Sequence, residues 1–182
     1  MALLNNWLKL KPLAAFLTQD LDMATTLDIN IRVDVLEPAE LTEQEHRAMQ
    51  LAQEAANDAY APYSNFLVGA ALLLEDGSLF KGSNQENAAY PSGLCAERTA
   101  LFALSAHHPN KKIKLLAVTA RRRSESSFIP AMPCGACRQV MSEYEHKQQE
   151  DIPVLLQAPD GKFYRFRRVA DLLPFQFTKD SL

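Results

Sequence analysis

Cys95, Cys134 and Cys137 are the three cysteines of the 182-residue chain, and Glu97 stands two positions after the first of them. An odd count cannot pair completely within one chain, so a disulfide framework is excluded as the organising principle. What remains is either three inert buried thiols or a thiolate site. Cys134 and Cys137 fall in Pro133-Cys134-Gly135-Ala136-Cys137, and Cys95 opens a second segment of helical character. Free amides and the positive end of the dipole at such starts favour thiolate over thiol. Three thiolates converging from two helix starts suit a tetrahedral zinc ion with one position open. A closed structural site would need a fourth cysteine or a histidine, and His46, His107, His108 and His146 lie away from both helix starts. An open position favours catalysis.

Two residues on a helix amount to about 200° of rotation. Cys95 and Glu97 therefore do not present side by side to one metal. Glu97 can instead reach the open position, take a proton from a water there and pass it to a substrate nitrogen. Its bland alternative is a first-turn acid that complements the helix dipole. Zinc with three thiolates carries net −1, which raises the pKa of a bound water. Arg98 and Arg138, each beside a site residue, are placed to offset that charge by donating hydrogen bonds to the sulfurs. Two solvated surface arginines are the alternative.

Something must hold these helix starts. Thr42-Glu43-Gln44-Glu45 has the form of a capping box, and Ala48, Ala52, Ala55 and Ala59 recur at helical spacing behind it. A first helix is expected from Glu43 to Ala59. Leu67–Leu74 is continuously apolar, and the Asp76-Gly77 turn before Leu79–Gly82 makes a hairpin whose first strand is buried on both faces. A helix over Leu94–His107, a strand over Ile113–Thr119 and a polar loop over Arg121–Ser127 follow. Then come a helix from Pro133 to Tyr144, strands over Ile152–Gln157 and Phe163–Phe166, and a short helix near Val169–Leu173. That order predicts an α/β fold, a layered sandwich with a mixed sheet of about five strands.

Composition removes other classes. The 19 basic and 22 acidic side chains give −3 and a pI of about 5.8, without the basic excess of a dedicated nucleic-acid binder. Residues 1–40 hold three of the basic and six of the acidic side chains, so the whole net charge lies there and the remainder balances. The longest apolar run, Phe66–Leu74, is half of the ~18 residues a membrane helix needs. Leu13–Leu17 is too short for a secretory core, and the acid-rich start is the reverse of a mitochondrial presequence. Residues 1–40 are thus expected to be an extension, a docking helix and strand or a mobile arm, and 41–182 the catalytic domain. A cytoplasmic location is the default expectation, with free thiols suited to a reducing compartment. Arg121-Arg122-Arg123, the Lys111–Lys114 run and the Arg165–Arg168 run could be offered as nucleic-acid contacts. Solvated or subunit-interface charge is the better reading, since no aromatics interleave the triplet.

Cys-x-Glu followed by Pro-Cys-x-x-Cys resembles the signature of zinc nucleoside and nucleobase deaminases. Ala61–Leu72, Gly82–Pro91, Cys95–Ala100 and Pro133–Val140 are similar to cytidine deaminase of the small, homotetrameric type, in the right order, over Thr42 to Phe177. The resemblance implies a three-layer α/β/α sandwich and one Zn²⁺ per subunit, held by Cys95, Cys134 and Cys137. It also implies hydrolytic deamination of cytidine and 2′-deoxycytidine, with Glu97 shuttling protons. Asn84 and Glu86 resemble the pair that holds the ribose hydroxyl, and their spacing of two on a strand end points both to one face. Phe66 resembles the aromatic wall beside the pyrimidine. The amide of Ala96 would contact the base carbonyl, and Phe177 would enter a neighbouring subunit's site. Ordinary core packing is the alternative for both phenylalanines. Ser83 and Met132 stand where the family often has Cys and Ser. Two rival readings are another deaminase, of an antibiotic or a polynucleotide, and a non-catalytic zinc module; an intact Glu97 argues against the latter.

Overall fold

The computed structural model describes residues 25–182, and its main body runs from Ile31 to Leu182. The apolar run Leu13–Leu17 and the helical part of the expected extension lie outside the described residues.

Six strands and three helices make up the body. They run β1 (Val33–Leu36), α1 (Glu43–Asn57), β2 (Phe66–Leu74), β3 (Leu79–Ser83), α2 (Ala96–His107), β4 (Ile113–Arg122), α3 (Gly135–Gln148), β5 (Val154–Gln157) and β6 (Phe163–Phe166). The sheet order is β1-β6-β5-β4-β2-β3. β4 and β5 are parallel, joined through α3, and every other pairing is antiparallel. The sheet is mixed, as expected, but has six strands instead of five.

The sixth is β1, which lies inside the segment read as an extension. Val33-Asp34-Val35-Leu36 is too short to stand out by alternation, and its partner β6 is distant in sequence. Arg165 on β6 reaches back to Asp34, at 3.2 Å, and across to Glu45 on α1, at 3.0 Å. β4 also outruns the expected strand, by three residues. Its antiparallel partner β2 begins at Phe66, which pairs with Arg122, so the polar start of the predicted loop is still ladder.

Side-chain alternation divides the sheet into two apolar faces. Ala71, Leu73, Leu115, Ala117 and Leu155 pack under α1, whereas Ala70, Leu72, Leu116, Val118 and Leu156 pack under α2 and α3. The three layers follow from that division. Two glycines set how closely the helices lie. A Cβ on Gly69 would fall 1.9 Å from the Ala52 carbonyl oxygen of α1, and one on Gly82 would fall 2.5 Å from the Ala100 amide of α2. One glycine on each face thus admits one alanine-lined helix. The close seat of α2 against β3 fixes where its first residues emerge.

Candidate active site

Cys95 is the N-cap residue of α2 and Cys134 that of α3, while Cys137 lies in the first turn of α3. Neither N-cap side chain makes a capping hydrogen bond. The three sulfurs lie within 4.8 Å of one another, with Cys95 and Cys134 at 3.9 Å. Cys137 is buried, Cys95 half-buried and Cys134 exposed, so the cluster opens to one side. Hydrogen bonding from Cys137, with further help from Arg98 and Cys134, pulls the Cys95 thiol down to about 5. The same contact, together with burial, pushes Cys137 up.

Glu97 sits in the first turn of α2 and is only 3% exposed. Its Oε2 is buried without a hydrogen-bond partner. Burial, and secondarily the Cys95 sulfur, push this carboxyl above the ordinary range. A buried carboxylate oxygen left unpaired is costly. Here it stands beside three sulfurs, and a divalent cation with a water would satisfy both. Soft sulfur donors at helix N-termini with an exposed side are the chemistry of a zinc site. The residues fit that ion.

The two arginines differ. Arg98 donates from Nη2 to the Cys95 sulfur at 3.8 Å. Arg138 does not serve the sulfurs in this way. Its Nε donates to the Pro133 carbonyl at 2.8 Å and its Nη1 to the Leu172 carbonyl at 3.1 Å. The side chain leaves α3 toward the turn at Val169–Leu172, so it ties the chain before α3 to the chain after β6.

Asn84 and Glu86 follow β3, and both turn to the segment that opens β2. Asn84 accepts from the Val68 amide at 2.8 Å and donates to the Phe66 carbonyl at 2.9 Å. Glu86 accepts from the amides of Tyr63, at 2.9 Å, and Ser64, at 3.3 Å, and from the Ser64 hydroxyl. That hydroxyl in turn accepts from the Phe66 amide at 3.0 Å. These contacts, led by the Ser64 hydroxyl, hold the Glu86 carboxyl below the ordinary range. Between them, Gln85 exchanges two backbone bonds with Leu94, the residue before Cys95, at 2.8 and 2.9 Å. The Asn84–Glu86 segment is therefore stitched on one side to the Phe66 segment and on the other to the start of α2.

Phe66 is half-buried and Ala96, the first residue of α2, is fully buried. Phe177 is 58% exposed. Its carbonyl accepts from Gln139 Nε2 on α3 at 2.7 Å, so the backbone is anchored while the ring faces outward. Sequence reasoning missed the contacts of Tyr63, Ser64 and Asn65. Asn65 has a φ of +54°, and a Ser-Asn pair ahead of an apolar run was the available signal.

Comparison with known proteins bears on all of this. The family model described as "Cytidine and deoxycytidylate deaminase zinc-binding region" matches residues 42–149. A curated cytidine deaminase of Sporosarcina psychrophila is 43% identical over 131 residues, 72% of this chain and 89% of that protein. One of Mycobacterium tuberculosis is 39% identical over the same share of this chain and 87% of its own length. Among solved structures, a cytidine deaminase from Burkholderia pseudomallei matches with a TM-score of 0.63 and 40% identity, covering 75% of this chain and 100% of that one. The matched span begins at the cap of α1 and ends with α3, enclosing the three thiols, Glu97 and the segment that stitches them to β2. The chain belongs to the cytidine and deoxycytidylate deaminase zinc-binding family.

Proposed function

We propose that this protein catalyses the hydrolytic deamination of cytidine and 2′-deoxycytidine, consuming water and releasing ammonia, with uridine and 2′-deoxyuridine as products. One observation carries the reading: a buried carboxylate with an unpartnered oxygen beside three thiols at two helix starts. Cys95, Cys134 and Cys137 would hold Zn²⁺, which when bound makes water nucleophilic at neutral pH. Glu97, with its raised pKa, is suited to both halves of the proton traffic. It takes a proton from the attacking water and gives it to N3 of the pyrimidine as the C4–O bond forms. It then carries the second proton, from the new C4 hydroxyl, to the amino group, which leaves as ammonia as the C4–N bond breaks and C4 becomes a carbonyl. Arg98 stabilises the Cys95 thiolate. Asn84 and Glu86 would meet the ribose, Phe66 the face of the base, and the Ala96 amide its carbonyl oxygen.

A homotetramer, with Phe177 of each chain completing a neighbour's site, is part of the proposal. The anchored backbone and outward ring of Phe177 support it. So are a cytoplasmic role in pyrimidine salvage and a division at residue 40 between the catalytic domain and an extension whose strand β1 docks on β6. Among the described residues no helix is long and apolar enough to cross a membrane. The basic runs do not favour a polynucleotide substrate. Lys111 pairs with Asp76, Lys112 and Lys114 with Glu150, Arg167 with Asp151 and Arg168 with Asp171. The test is loss of the cytidine ultraviolet band on incubation with zinc-loaded protein, run beside deoxycytidine, blasticidin and single-stranded DNA. Glu97→Gln with zinc retained should lower turnover by about 10³-fold or more. Substantial residual turnover would sink the role given to Glu97.

A further inference from the structure

The Arg121–Arg123 triplet is not bare surface charge, because each guanidinium has a partner in the chain. Arg121 donates to Asn57 Oδ1 from Nη2 at 2.7 Å and to the Glu125 carbonyl at 3.1 Å. Arg122 lies 3.9 Å from Glu125. Arg123, just past the end of β4, is the one that meets the candidate site. Its amide donates to the Asn65 carbonyl at 2.9 Å and its Nε donates to Asn65 Oδ1 at 3.2 Å. One residue thus grips another by backbone and side chain together.

The gripped residue is unusual. Asn65 is left-handed, a conformation that asparagine tolerates better than other non-glycine residues but that still benefits from being held by its surroundings. It sits between Ser64, which is bound by Glu86, and Phe66, whose carbonyl is bound by Asn84. The Tyr63–Phe66 loop is therefore clamped from two sides, by Glu86 on one and by Arg123 on the other. Arg123 also adds to the forces that hold the Glu86 carboxyl ionised.

We propose that Arg123 is a positioning residue for the nucleoside: by holding Asn65 left-handed, it sets Phe66 and Glu86 in the places from which they meet the substrate. The proposal rests on the deaminase reading above. It locates the action in binding, since Arg123 contacts none of the thiols and Glu97 is seated on another element.

Arg123→Ala, measured in full-length zinc-loaded protein against Arg122→Ala, tests it. Arg122→Ala removes a neighbouring charge without loosening Asn65. Arg123→Ala should raise KM for cytidine about fivefold with kcat within about twofold of wild type, whereas Arg122→Ala should leave both unchanged. In hydrogen exchange, amides of residues 63–66 should lose protection in Arg123→Ala alone. An Arg123→Ala protein with wild-type KM, or with unaltered protection at 63–66, would overturn the positioning role. So would a fall confined to kcat. Absence of turnover in the wild type would instead overturn the reaction assigned to the protein and the substrate role of Arg123 with it, so the two failures are told apart.

Discussion

The start of α1 and the starts of α2 and α3 solve the same physical problem in opposite ways. Every helix begins with amides that lack intrahelical partners. At α1 they are met locally: Thr42 accepts from the Glu45 amide at 3.2 Å, and the Glu45 carboxylate accepts from the Thr42 amide at 2.8 Å. At α2 and α3 the N-cap positions hold cysteines that make no such bond. The first start is built for stability. The other two forgo a cap and keep their amides and dipoles aimed at a cluster of sulfurs. A helix start that is locally unsatisfied, and repeated twice at one place, marks where the fold has conceded stability to chemistry.

Giving the site helices a proper cap should break the comparison most severely. Serine is a good N-cap and a poor substitute for a thiolate ligand. Cys134→Ser is expected to lose zinc and reduce cytidine turnover to background. In metal-free protein the same change should raise unfolding stability by about 0.5–1 kcal/mol. Zinc content by metal analysis and urea denaturation in chelator measure the two halves. A metal-free variant less stable than wild type would refute the claim that a cap has been forgone.

A smaller effect separates α2 from α3. Each start carries an arginine, but Arg98 serves a sulfur and Arg138 serves carbonyls. Arg98→Ala should lower turnover about tenfold with little change in folding, because the Cys95 thiolate loses its donor. Arg138→Ala should cost about 1–3 kcal/mol of stability by stranding two carbonyls, with turnover per folded molecule nearly unchanged. Paired denaturation and kinetic measurements would expose the opposite pattern if the two arginines were interchangeable.

That difference also explains how far the sequence could be read. The placement of the thiols and of Glu97 at two helix starts was legible because residue type and local helix signals fix it within a few residues. Arg138 was not, since its direction depends on Leu172, which reaches it only after β5 and β6 have folded back. β1 was missed as a member of the sheet for the same reason: Val33 pairs with Phe166. The Asn65–Arg123 contact lies one pair beyond Phe66 and Arg122 at one end of the antiparallel β2–β4 ladder, between residues distant in sequence, and nothing local in either segment announces it. The expectation that Asn84 and Glu86 share one side came from strand period alone. What they hold there, the backbone of Tyr63–Val68, required the register of β2 against β3.

The smallest effect belongs to α1, where a change should leave the chemistry untouched. Thr42→Ala removes the cap and is expected to cost about 1 kcal/mol with no loss of turnover per folded molecule. Its partner Glu45 adds a pH signature. Burial pushes the Glu45 carboxyl up, but the Thr42 amide, Arg165 and the Thr42 hydroxyl more than offset that and leave it below its ordinary value of 4.5. A depressed pKa means stability that is present above about pH 4.5 and is lost as pH falls through the folded value. Wild-type urea midpoints should therefore drop steeply below pH 4.5, and those of Glu45→Gln, starting lower, should drop less over the same interval. Equal slopes would mean that this corner owes its stability to packing under Arg165 and not to the ionised carboxylate. The contrast between a helix start that is capped and two that are open would then rest on the thiols alone.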